Sequence, residues 1–318
     1  MKRLVLLYMG LLLALVSCVS SPEARLFQRY YDEIDHSTRG SSTYYRWMVP
    51  GSRRLIVYLE GSGLYSVLGT EETGRLDSYT VSYVILDAWK DSADILIPEK
   101  PGMHKGGQFY GDASVLASYT VEDHASSHAR GIDDHLSRYQ YDEVFLVGFS
   151  EGGALLPAVY EAMERKVEIT GLVAVGAGVM NQYDEFMLLA ESPLSMNDQY
   201  RNGLSHVAEA REKIMQDPQS IDRWYLGWPY RRWSSYFSYT PANLYRDVPV
   251  PVLFLHGEKD TSSPVESSLA ARTLGLSDCT VITYPEMGHG PDTDEQRTRL
   301  FTDITEWFAG VGTGVTDR

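Results

Sequence analysis

Gly148-Phe149-Ser150-Glu151-Gly152-Gly153 follows the apolar run Val144-Phe145-Leu146-Val147 and precedes a helical pattern. A serine between glycines at a strand-to-helix junction suits a turn too tight for flanking side chains, so Gly148 and Gly152 belong to the turn. Gly153 lets the following helix approach the sheet. The turn presents the Ser150 hydroxyl at a helix N-terminus, where the dipole favours developing negative charge. Ser150 is therefore the candidate nucleophile. Pro157 falls inside the same helix, where it removes a backbone hydrogen bond; this predicts a bent or late-starting helix.

Outward from this turn, short apolar runs alternate with helical patterns. The other runs are Leu55–Leu59, Ile95–Ile97, Leu172–Val175, Val252–Leu255 and Thr280–Tyr284. Continuous apolar runs of this length suit strands covered on both faces, as in a parallel sheet. Helices are expected over 124–138, 152–165, 264–274 and 293–309. The alternation predicts an α/β layered fold, with a mostly parallel central sheet and helices on both faces. Residues 180–246 break the alternation and are rich in aromatics. They read as a helical lid insertion over the carboxyl ends of the strands, where open parallel sheets place ligands. Trp224, Tyr225, Trp228, Tyr230, Trp233, Tyr236, Phe237 and Tyr239 could line an apolar acyl pocket or simply pack the insertion onto the core. Arg231 and Arg232 read as solvated side chains or as ligands for a substrate carboxylate.

The 318 residues are 43% hydrophobic, enough for one large core. A formal net charge of -15 is the wrong sign for nucleic acid. No H-E-x-x-H motif occurs, and neither a metal nor another cofactor is expected.

The N-terminus reads as a processing signal. Lys2 and Arg3 precede an apolar run from Leu4 to Val16, too short to span a bilayer. Leu15-Val16-Ser17-Cys18 resembles a bacterial lipobox, which implies lipidation of Cys18. The expected organisation is a signal peptide at 1–17, a lipidated tether and short helix at 18–41, a catalytic domain at 42–309 and a flexible tail at 310–318. The chain would then be exported and held on a membrane facing the periplasm or cell surface. Cys279 would be the one unmodified thiol, unable to form an internal disulfide.

A serine hydroxyl needs a base, and the base needs a carboxylate to hold its tautomer. His289, in Met287-Gly288-His289-Gly290, follows the last expected strand. Asp260, in Leu255-His256-Gly257-Glu258-Lys259-Asp260, follows the preceding one, with Glu258 as local competitor. The other downstream histidines are His206, inside the insertion, and His256, at a strand end beside the Asp260 loop. Acyl transfer also needs oxyanion donors. The Glu151 amide is one candidate. The loop Glu60-Gly61-Ser62-Gly63 supplies the second, from Ser62 or Gly63.

These four segments, in this order, resemble the α/β-hydrolase superfamily over most of residues 45–309. The resemblance implies a serine hydrolase with a Ser150-Asp260-His289 triad acting on a small-molecule or peptide acyl substrate. Glu60-Gly61 departs from the His-Gly common in the family's oxyanion loop. Pro98-Glu99-Lys100-Pro101-Gly102 replaces an Arg-Gly-containing loop. A carboxylic-ester hydrolase leads, a serine peptidase is the alternative, and a non-catalytic surface-binding lipoprotein is the third reading.

Overall fold

Each of the six apolar runs lies in a strand of one sheet. The computed structural model describes residues 22–312 apart from 73, 74, 79, 109–112, 193–204 and 277. The expected signal peptide at 1–17, Cys18 and residues 313–318 lie outside the described residues. Among the described residues the principal sheet has eight strands: β1 (Asp35–Arg39), β2 (Ser42–Trp47), β3 (Arg54–Leu59), β4 (Asp94–Pro98), β5 (Glu143–Phe149), β6 (Gly171–Val175), β7 (Val252–Gly257) and β8 (Cys279–Tyr284). Their spatial order is β1-β2-β4-β3-β5-β6-β7-β8. The β1–β2 and β2–β4 pairs are antiparallel, and every later pair is parallel. β1 starts ahead of residue 42, so the sheet takes in chain that reads as tether in the sequence.

The central strands β3 to β7 are mostly apolar because both faces of the sheet are covered there. Val57, Leu59, Leu146 and Phe254 face a core shared with α3 (Val121–Leu136) and α4 (Glu151–Ala162). Ile56, Tyr58, Val147 and Leu255 face a second core under α1 (Pro22–Glu33), α2 (Val81–Trp89) and α8 (Asp294–Gly312). α8 continues past the expected tail boundary at residue 310. Among the described residues no helix is long and apolar enough to cross a membrane.

Between β6 and β7 the chain forms α5 (Gln182–Glu191), α6 (Val207–Gln216) and α7 (Tyr230–Ser238). They share a separate small core of Phe186, Leu189, Val207, Ile214, Trp233 and Phe237. Several of the insertion's aromatics are thus packing residues, while Trp224 remains 45% exposed.

The strand order positions the site. β3 lies beside β5, with Leu59 opposite Gly148, so the Glu60–Gly63 loop emerges next to Ser150. β7 lies beside β8, with Gly257 opposite Tyr284, so the loops bearing Asp260 and His289 emerge together. Parallel strands put all four loops at one edge of the sheet.

Candidate active site

Ser150 occupies a backbone conformation that side-chain-bearing residues rarely adopt, with φ 54° and ψ -121°. Such a conformation persists only where its surroundings hold it, at a cost of about 1–3 kcal/mol. Here the Ser150 N–H donates to the Val175 carbonyl at 2.8 Å. The glycines make the turn possible. A Cβ at Gly148 would stand 2.4 Å from the Gly152 carbonyl oxygen, and one at Gly152 would stand 2.1 Å from that of Leu59. α4 begins at Glu151, directly after the turn, so the expected late start does not occur. Pro157 is accommodated within α4, and the Tyr239 hydroxyl donates to the Ala154 carbonyl at 2.9 Å.

Ser150, His289 and Asp260 form one hydrogen-bonded chain. The Ser150 Oγ lies 2.9 Å from His289 Nε2, and His289 Nδ1 lies 2.7 Å from Asp260 Oδ2. An ionised carboxylate only accepts, so Nδ1 carries the proton and Nε2 is left to receive the serine's. Asp260 Oδ1 accepts from the Ser262 and Ser263 amides at 2.7 and 3.0 Å. Burial pushes the Asp260 carboxyl up, but His289, His256 and their hydrogen bonds outweigh it and hold it well below the usual carboxylate range. Asp260 is thus anionic at neutral pH. Its competitor Glu258 instead accepts from the Thr283 hydroxyl.

Of the other two downstream histidines, one supports Asp260 and the other lies apart. His256 is fully buried; its Nε2 lies 3.0 Å from the Ser263 carbonyl and 3.1 Å from Asp260 Oδ2. It braces the loop that carries Asp260. His206 is exposed at the start of α6. Cys279 is half-buried, and burial pushes its thiol up to about 11, leaving it a poor nucleophile.

Glu60 has a use that the sequence conceals. Its Oε2 accepts from the Ser82 amide and hydroxyl, both at 3.0 Å, at the first turn of α2, while Oε1 accepts from the Gly61 amide at 2.9 Å. The carboxylate therefore caps α2 and pins the Glu60–Gly63 loop to it. Buried Lys100 donates to the Gly63 carbonyl at 2.9 Å from the far side. Burial lowers the Lys100 ammonium, opposed by Glu60, Glu151 and Glu99. The Gly63 amide points to the Tyr119 oxygen at 3.4 Å, which leaves Ser62 as the freer of the two loop donors.

Tyr119 passes this contact on. Its hydroxyl donates to Glu151 at 2.9 Å, and the other Glu151 oxygen accepts from Arg232 of α7 at 2.5 Å. Arg232 is buried, bonds Gln182 at 2.8 Å and lies over the rings of Tyr236 and Trp233. This corrects both expectations for Arg232: it is neither solvated nor available to a substrate carboxylate. The residue next to the nucleophile is thereby tied to the insertion. Lys100, Tyr119 and Arg232 escape sequence reading because nothing local marks them as neighbours of the turn.

The insertion touches the Asp260 loop as well. Glu185 of α5 accepts from the Ser263 hydroxyl at 3.4 Å. Burial, reinforced by the Asp260 charge and opposed by hydrogen bonds and His256, pushes its carboxyl up to about 7. The folded state then holds a proton that the unfolded chain releases near the ordinary glutamate value. Its contribution to stability is full at acidic pH and is lost as pH rises through about 7. Glu185→Gln should therefore be roughly 3 kcal/mol more stable than wild type at pH 8, melting about 6 °C higher, and match it at pH 4. A scan at the two pH values checks this; an equal offset at both refutes the titration.

The sequence model described as the alpha/beta hydrolase family matches residues 74–301. No curated protein matches the chain. Among solved structures, the chain is similar to Mycobacterium smegmatis proline iminopeptidase (TM-score 0.60, 12% identity, 89% of this chain and 99% of that one). It is also similar to the monoacylglycerol lipase of Paleococcus ferrophilus (TM-score 0.53, 20% identity, 88% and 99%). Pyrococcus horikoshii acylaminoacyl peptidase gives a TM-score of 0.57 at 14% identity over 87% of this chain, which spans 41% of that larger protein. At these identities the structural likeness speaks to the fold. With the family match over most of its length and the eight-stranded, mostly parallel sheet, the chain belongs to the α/β-hydrolase family.

Proposed function

We propose that this protein is a serine hydrolase of carboxylic esters, working through an acyl-enzyme on Ser150. The observation that carries the reading is the continuous chain from Ser150 Oγ through His289 to anionic Asp260. Ser150 Oγ attacks the ester carbonyl as His289 Nε2 takes its proton. The carbonyl oxygen becomes an oxyanion between the Glu151 amide, an unpaired donor of a helix's first turn, and the Ser62 amide. The C–O bond to the alcohol breaks, and His289 returns the proton to the leaving oxygen. Water then attacks the acyl-enzyme, giving its proton to His289, which restores Ser150 and frees the acid. Asp260 holds the imidazole and stabilises its cation.

The same reading has the chain exported and held at a membrane through lipid on Cys18. Labelled palmitate should enter the wild type and not Cys18→Ser.

A fluorophosphonate probe should label the wild type and not Ser150→Ala. p-Nitrophenyl esters should be cleaved, and aminoacyl p-nitroanilides should not. Cleavage of the anilides alone makes the protein a peptidase. A folded wild type that takes no label and turns over neither substrate is a binding protein, and the enzymatic reading ends there.

A further inference from the structure

A partly enclosed apolar cavity next to the loops that flank Ser150 and His289 lies on the face of the sheet that α1, α2 and α8 cover. Its volume is about 120 Å³. Gly61, Ser62 and Gly290 form the end next to the catalytic loops, and the Phe149 ring forms part of the wall. A Cβ built on Gly61 would lie 3.4 Å from both the Ser150 Cβ and the Phe149 ring, at ordinary contact distance, so this residue of the cavity wall lies against Ser150. Val81, Val84 and Ile85 of α2 line one side, and Leu300, Phe301 and Ile304 of α8 the other. No described residue of the 180–246 insertion lines it.

Well-packed interiors leave few voids above the size of a water molecule, and a dry apolar cavity of about 150 Å³ holds a benzene-sized guest. The polar groups at its inner end are already spent on structure. Both Glu60 oxygens accept from Ser82 and Gly61. The remaining wall offers an occupant little except apolar contact. At its outer end Glu23 and Arg297 stand 3.8 Å apart, and an open groove sharing Phe27 and Val84 continues between α1, α2 and α8.

We infer that this cavity holds the acyl chain of the substrate, which makes the substrate an ester of an unbranched fatty acid of about six carbons. The inference rests on the ester reading of Ser150 and adds the acyl group. With the carbonyl oxygen at the Ser62 amide, the chain passes Gly61 and runs down between α2 and α8. The aromatic insertion is left to the alcohol side and to its own packing.

The test is a chain-length series of p-nitrophenyl esters from acetate to decanoate on wild type, Val84→Trp and Val84→Ala. Wild-type kcat/KM should rise from acetate to a maximum near hexanoate. Filling the cavity with Val84→Trp excludes about three methylenes and should lower the hexanoate-to-acetate ratio about 50-fold, at the usual worth of a buried methylene. Val84→Ala, which carries little risk to folding, should move the maximum one or two carbons longer. A flat wild-type series, or the same ratio in all three folded proteins, overturns the proposal. Binding separates this from the ester reading: Ser150→Ala should bind hexanoate by calorimetry, and Ser150→Ala/Val84→Trp should bind it at least tenfold more weakly. If no ester is turned over, the ester reading fails and binding alone decides the cavity; no hexanoate binding to Ser150→Ala overturns the cavity assignment whatever the turnover.

Discussion

Ser150→Ala should lower ester turnover by about 10⁴- to 10⁶-fold while the protein keeps its fold. Ser150 contributes a hydroxyl at a half-buried turn, and the turn itself is held by the Val175 carbonyl and the glycines at 148 and 152. His289→Ala should fall to a similar rate. The double variant should fall little further, because a nucleophile without its base and a base without its nucleophile fail at the same step. Asp260→Asn should cost about 10⁴-fold: an amide presented to Nδ1 favours the tautomer with its proton on Nε2, facing Ser150. Steady-state rates with circular dichroism on each variant check this. Independent, multiplying losses for Ser150 and His289 would falsify the shared step.

Arg232→Ala should be the most destabilising single change outside the core, by about 3–5 kcal/mol. The loss comes less from the ion pair itself than from what is left behind. Glu151 is buried, and without Arg232 its carboxylate keeps the neutral Tyr119 and Tyr236 hydroxyls, a histidine nitrogen 3.9 Å away and the less direct charge of Lys100. An uncompensated charge in that position is costly, whereas removing both charges is far cheaper. Glu151→Gln/Arg232→Met should therefore recover more than half of the loss. The Glu151 amide is a proposed oxyanion donor, so Arg232→Ala should also lower kcat with little change in KM. Denaturant midpoints for the two singles and the double close the cycle. A single-variant loss below about 1 kcal/mol would show the pair to be incidental.

The network around Arg232 separates what was legible in the sequence from what was not. The six apolar runs, the helix after Ser150 and the order serine, aspartate, histidine rest on local patterns, and the fold follows from them. The antiparallel β1–β2 edge carries no such signal: β1 is polar and largely exposed, and β2 mixes polar residues with buried tyrosines. Glu60 looked like a departure from a family motif. It is the cap of α2, whose first turn lies 22 residues downstream. Lys100 stands in the loop that replaces the family's Arg-Gly pattern, and only the structure shows that it bonds the carbonyl of Gly63, 37 residues away. The aromatics of 180–246 allowed two readings, and their burial in a separate small core favours packing for Trp233 and Phe237.

By itself the sequence determined the turn at Ser150. Its requirements are steric and act within a few residues: no Cβ fits at 148 or 152, and a serine between them has to project from the strand end. Only the tertiary structure decided what the serine meets. His289 lies 139 residues further along the chain, and Arg232 reaches Glu151 across 81. Contacts at that distance depend on which strands lie side by side, and strand order is carried by packing across the whole sheet rather than by any local pattern. The same holds for the apolar space beside Ser150, whose walls come from α2, α8 and the strand ends and exist only once those elements have met.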